Sequence, residues 1–159
     1  MTTKNYMTRK GHEKFCNELK YLKEIRRAEI LNDIKEAKEH GDLSENAEYD
    51  AAKDAQANNE IRIANLEQSL TSVQIIEDMD IPADKIYIGA TVSLINIDTN
   101  EKIEYTLLSS LEADPCNNII SVESPIGKAL LGSSVGEIVD IETPKDYFSY
   151  KVINIERKL

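Results

Sequence analysis

Between His40 and Tyr49 the chain reads His40-Gly41-Asp42-Leu43-Ser44-Glu45-Asn46-Ala47-Glu48-Tyr49. The residue types here suit metal chemistry. Asp42 and Glu45 are hard oxygen donors of the kind that bind a divalent cation such as Mg²⁺. Two carboxylates are too few for an all-protein cage, so they fit a site whose other ligands belong to a partner. A metal completed in that way can activate water for in-line attack on a phosphodiester. The same residues have a structural reading. Asp42 can cap a helix while Glu45, three residues on, reaches back as in a capping box. Both acids suit the positive end of a helix. The readings are compatible, because one carboxylate oxygen can cap while the other faces outward. His40 is a candidate general base or, more simply, a charge partner for a helix end.

The flanking sequence must position this run. From Thr8 to about Asp78 the pattern is helical and free of proline. Phe15, Leu19 and Leu22 recur at helical steps, and Ile30, Ile34 and Ala37 continue the stripe after a shift. The shift, around Arg26–Glu29, reads as a stutter. Thr8 is placed to cap the first helix, and Gly41 to close it. A second run begins near Asp42 or Ser44. Its residues at steps of four and three, Ala52, Gln56, Asn59, Ile63, Leu66, Leu70 and Val73, trace a coiled-coil seam. Polar Gln56 and Asn59 predict a seam looser near the turn and tighter at the other end. Two long helices joined by a short turn fold back antiparallel. About 30 residues give an arm of roughly 45 Å with an acidic tip at 41–48. Lys38 and Lys53 flank that tip, either as solvated charges or as a grip on phosphate. Tyr49 can stack on a base or pack across the seam.

After Ile81-Pro82 the period changes to two. Strands are predicted around Val92–Leu94, Ile103–Leu107, Ile119–Val122, Ile138–Ile141 and Phe148–Ile155, with a turn at Asp98-Thr99-Asn100. Ser124–Gly132, SPIGKALLG, reads as a turn, a short helix and a glycine stop. The expected fold class is therefore α+β. An antiparallel α-helical coiled-coil hairpin occupies 1–79, and a small β-sheet domain with a short helix occupies 80–159.

Composition limits the function classes. The 159 residues carry a net charge of −10, which disfavours general nucleic-acid binding. The charge is uneven. Residues 1–40 hold ten Lys and Arg against seven acids, a balance of +3, which leaves −13 for 41–159. A basic arm on an acidic body suits a protein that itself holds nucleic acid, although solvated helices also carry mixed charge. No run of about 18 apolar residues is present, so no membrane span is expected. No secretory signal is visible. Cys16 and Cys116 are far apart and fit two free thiols in a reducing cytoplasm.

His40–Tyr49 followed by Ala51-Ala52-Lys53, together with SPIGKALLG, resembles the two signatures of the bacterial transcript cleavage factors of the Gre family. The resemblance covers nearly the whole chain. It implies a hairpin that enters the secondary channel of bacterial RNA polymerase. Residues matching Asp42 and Glu45 would help hold Mg²⁺ and water at the polymerase's own active centre. The polymerase then hydrolyses backtracked RNA and rescues an arrested complex, and the chain contacts nucleic acid (RNA 3′ end and DNA) only within that complex. The resemblance assigns RNA contact to Lys38 and Lys53, while Gly41 and Tyr49 are read from their own types and positions as tip support. Lysine keeps the charge but lacks the bidentate fork of arginine. The second half would be FKBP-like and would dock on the channel rim. No independent active site is expected, and no Mg²⁺ bound by the isolated chain. Two alternatives follow from the same scaffold. One is a channel-binding inhibitor, which the acidic tip disfavours. The other is an FKBP-like prolyl isomerase, which the scarcity of aromatics (no Trp, two Phe) disfavours. A structural adaptor would tolerate loss of the Asp42 charge.

Overall fold

A computed structural model describes residues 4–41 and 45–158. The chain divides into two compact units, His12–Val73 and Lys4–Gly11 with Gln74–Leu159. The break falls a few residues before the Met79–Asp84 boundary expected from sequence. Lys4–Gly11 belongs with the second unit because strand β1 (Asn5–Met7) pairs with β2 (Val73–Ile75). These three-residue strands are too short to show a period in the sequence.

The first unit is a helical hairpin. Helix α1 (Arg9–Tyr21) runs into a π-helical turn (Leu22–Arg26) and on into α2 (Arg27–Glu39). After the turn comes α3 (Ala47–Leu70). Contacts at Ala37–Asn46, Arg27–Glu60 and Lys23–Glu67 rise on one side as they fall on the other, so the rods are antiparallel. The apolar shift read as a stutter is a π turn. The step from Leu22 to Ile30 is one residue longer than two α-helical turns of about seven residues, and a wider turn absorbs the extra residue. The backbone N–H of Arg27 donates to the Leu22 carbonyl across the π turn.

The seam departs from its expected gradient. Ile30, Ile34 and Ala37 on α2 are buried, as are Ala52, Asn59, Ile63 and Leu66 on α3. The part near the turn is closed rather than loose. Tyr49 and Ala55 pack against the cluster of Ile30, Ile34 and Ala52 and supply the apolar surface that Gln56 lacks. Asn59 is accommodated because its side-chain amide donates to the Leu22 carbonyl (3.4 Å). Phe15, Leu19 and Leu22 are half-buried. Among the described residues, three ion pairs join the two rods beside the seam. Arg27 and Glu60 pair through two hydrogen bonds (2.7 and 2.8 Å), and Arg62 and Glu18 do the same (2.8 and 3.0 Å). Lys23 pairs with Glu67.

The second unit is a five-stranded sheet in the order β5-β4-β3-β7-β6, built from β3 (Thr91–Asn96), β4 (Lys102–Leu108), β5 (Ile119–Ser121), β6 (Ile138–Glu142) and β7 (Tyr147–Glu156). All neighbours are antiparallel except β4 and β5. A bulge against β7 lies between Ser93 and Leu94. The predicted turn forms at Asp98–Asn100. Asn96 Oδ1 accepts from the backbone N–H groups of Asp98 and Thr99, and Asn100 takes a positive φ of 60°. One face of the sheet packs with helix α4 (Pro125–Leu130) around Ile86, Val92, Leu94, Leu107, Leu130, Val139, Ile141 and Val152. Together the hairpin and the sheet make the α+β class expected from the sequence.

SPIGKALLG is a compact helix-building device. Ser124 Oγ accepts from the Gly127 N–H (3.1 Å) and donates to the Ser121 carbonyl (2.6 Å). Pro125 sits in the first turn, where its missing N–H costs nothing. Gly127 lies so close to the backbone of Ser121 and Val122 that a Cβ would overlap them.

Candidate functional site at the hairpin turn

The end of α2 and the start of α3 define the turn. The His40 N–H donates to the Ala37 carbonyl (3.2 Å), and Gly41 follows with a φ of 124°. That angle lies in the region glycine adopts without a Cβ penalty, as expected for a helix-closing position. Asp42, Leu43 and Ser44 lie outside the described residues, so the candidate ligand Asp42 has no geometry here.

The start of α3 corrects the sequence reading. The cap is Asn46, not Asp42 or Ser44, and the first helical residue is Ala47. Asn46 Oδ1 accepts from the Tyr49 N–H (3.1 Å), satisfying one of the orphan donors of the helix start. Its Nδ2 donates to the Ala37 carbonyl (2.6 Å). Glu45 therefore precedes the cap and does not occupy the third helical position of a capping box. Its residue is exposed, and its carboxylate makes no hydrogen bond or ion pair with any described residue. The chemistry of this donor fits part of a Mg²⁺ site. Among the described residues, no three His, Cys, Asp or Glu side chains converge to complete one.

The other site candidates are placed as follows. Tyr49 is half-buried against the seam, in the packing role. Lys38 is exposed beside buried Ala37. Lys53 is exposed beside buried Ala52, and its Nζ donates to Gln56 (3.0 Å). His40 is exposed at the end of α2. It lines one shallow concavity with Glu45, Asn46 and Glu48, and a second with Asp33, Glu36 and Glu48. Reading the sequence missed Asn46. Its type was the available signal, since Asn is among the favoured caps, but Asp42 and Ser44 offered the same signal.

Among the aromatics of the second unit, the Phe148 and Tyr150 rings stand 6.1 Å apart between centroids. Tyr105, Phe148 and Tyr150 are part-buried against the core, and burial raises the Tyr105 phenol above its ordinary value. Tyr147 is exposed. Tyr87 joins Tyr6, Ile81, Pro82 and Leu131 around a largely apolar concavity of about 400 Å³. Cys16 and Cys116 are free and exposed. Among the described residues no helix is long and apolar enough to cross a membrane.

Both halves match family models. The model described as transcription elongation factor, N-terminal, covers residues 5–75. The one described as transcription elongation factor, GreA/GreB, C-term, covers 81–157. The chain belongs to the GreA/GreB family of transcription elongation factors. Within it, the likeness is to GreA. Transcription elongation factor GreA of Chloroherpeton thalassium is 53% identical, over 99% of this chain and all of the relative. That of Rickettsia canadensis is 48% identical, over 99% and 98%. Among solved structures, GreA factor homolog 1 (Gfh1) of Thermus thermophilus is 29% identical with a TM-score of 0.45, covering 97% of this chain and 99% of its own.

Proposed function

We propose that this elongation factor inserts its hairpin into the secondary channel of bacterial RNA polymerase and stimulates the polymerase's own hydrolysis of backtracked RNA. The observation that carries the reading is the Glu45 carboxylate. It is exposed at the turn of a family-matched hairpin, and Asn46 has relieved it of the capping role. A carboxylate with no partner among the described residues has lone pairs to offer a ligand outside the chain. Glu45 and Asp42 would hold Mg²⁺ jointly with the polymerase. When bound there, the metal supplies activation of a water for attack on the RNA phosphodiester. The chain's own residues present and orient. The α2–α3 seam stiffens the rod, Gly41 and Asn46 shape the turn, and Tyr49 anchors the first turn of α3 to the seam. Lys38 and Lys53 offer positive charge to RNA phosphates. The second unit docks on the channel rim. The chain needs no active site of its own, and its place is the cytoplasm, with the polymerase.

The test is a stalled elongation complex carrying 3′-labelled RNA. Wild type should release short 3′ fragments in the presence of Mg²⁺. Asp42→Asn and Glu45→Gln should bind equally well and release little. Competition for the channel without cleavage by wild type would instead mark a channel-binding inhibitor. Full activity in both variants would reduce the tip acids to a structural role.

A further inference from the structure

Asn46 joins the ends of two helices with one side chain. Its Oδ1 takes the Tyr49 N–H at the start of α3, and its Nδ2 reaches the Ala37 carbonyl near the end of α2 (2.6 Å). The Asp50 N–H donates to the Asn46 backbone carbonyl (3.1 Å), which closes the first turn of α3 onto the same residue. Ala37 is buried in the seam, so this bond ties the turn to the rigid part of the hairpin. The side chain is half-buried, and its oxygen and nitrogen are both engaged. Glu45 is the next residue back along the chain. Its own side chain has no described partner to orient it, so its direction follows from the backbone that Asn46 fixes.

We propose that Asn46 is the positioning residue for the Glu45 carboxylate. The proposal rests on the function given above and adds a device to it. The cross-turn bond sets the direction of Glu45 before any partner is met, so less freedom is lost on binding. The requirement is specific to a short side chain with a donor and an acceptor on one planar head. Aspartate keeps the cap, since its oxygen still accepts from Tyr49. It has no donor for the Ala37 carbonyl and sets two acceptors against each other.

Asn46→Asp therefore separates capping from positioning. In the stalled-complex assay, the concentration of Asn46→Asp giving half-maximal effect should match wild type. The maximal cleavage rate at saturation should fall about ten- to a hundredfold, the range typical of outer-shell partners of metal ligands. More Mg²⁺ should be needed to reach half of that rate. Helix content by circular dichroism should be unchanged. Asn46→Ala, which loses both bonds, should lose rate and also some helix content. Wild-type rate in Asn46→Asp at saturation would overturn the positioning role. Weakened half-saturation with an intact maximal rate would overturn it too, because it would show a role in docking. If wild type itself cleaves nothing, the proposed function falls first. The clamp is checked separately by proton exchange at the Asn46 side-chain amide in the free protein. Slow exchange supports the clamp, and fast exchange removes it.

Discussion

A side chain at Gly127 would have no space. Its Cβ would overlap the carbonyl oxygen of Ser121 and crowd the Cα of Val122, both backbone atoms that cannot rotate away. Gly127→Ala should therefore cost about 1–3 kcal/mol by overpacking, read as a lowered midpoint in urea unfolding of the full chain. An unchanged midpoint would show that β5 and α4 can separate freely. Gly127 was legible as part of a signature, but the reason for glycine was not, because close approach of two backbones leaves no trace in composition. The cap at Asn46 was hidden for a different reason. Three cap-type residues, Asp42, Ser44 and Asn46, stand at alternate positions, and propensity alone does not choose among them. The Ala37 carbonyl decides, and it lies outside the local window that a capping rule inspects.

The hairpin seam shows what periodicity reveals and where it fails. Ala52, Asn59, Ile63 and Leu66 were all placed on the buried stripe by their spacing, and all are buried. Closure of the seam near the turn was not foreseen, since it depends on cross-helix partners. The ion pairs that flank the seam make a testable element. The hydrogen bond from Arg27 holds Glu60 below the usual carboxylate range, against an opposing desolvation effect. A folded-state value below the unfolded one means a contribution fully present above the unfolded carboxylate range, near pH 4.3. That contribution is lost as pH falls through the folded value. Thermal melts followed by helix signal should therefore lose stability on acidification more steeply in wild type than in Glu60→Gln. The effect should be small, as both partners are exposed, and equal slopes would show that the pair contributes nothing.

Across the whole chain, two units have separate cores. The boundary shifted from its expected place because β1 returns residues from the N-terminus to the second unit. Glu112 strengthens that return. Its carboxylate accepts from the Thr8 N–H (2.8 Å) and hydroxyl (2.5 Å), while Thr8 Oγ1 accepts from the Gly11 N–H (3.0 Å) as a helix cap. Thr8 was legible as that cap, whereas Glu112, 104 residues away, was not. At this scale the metal expectation is tested on the free protein. Titration calorimetry with Mg²⁺ should show no binding at submillimolar concentration, because two carboxylates alone do not repay dehydration of this ion. Submillimolar affinity would mean that the chain holds a complete site and does not share one.

The π turn has a consequence for how the hairpin can change length over evolutionary time. A helix that carries one surplus residue between Leu22 and Ile30 has already solved the problem of an insertion. Removing one residue from Lys23–Ile25 would return the rod to plain α-helix with both apolar stripes still in phase. Removing one from Ile30–Ala37 would rotate the tip away from α3. Length differences of a single residue between related hairpins should therefore gather at the π turn.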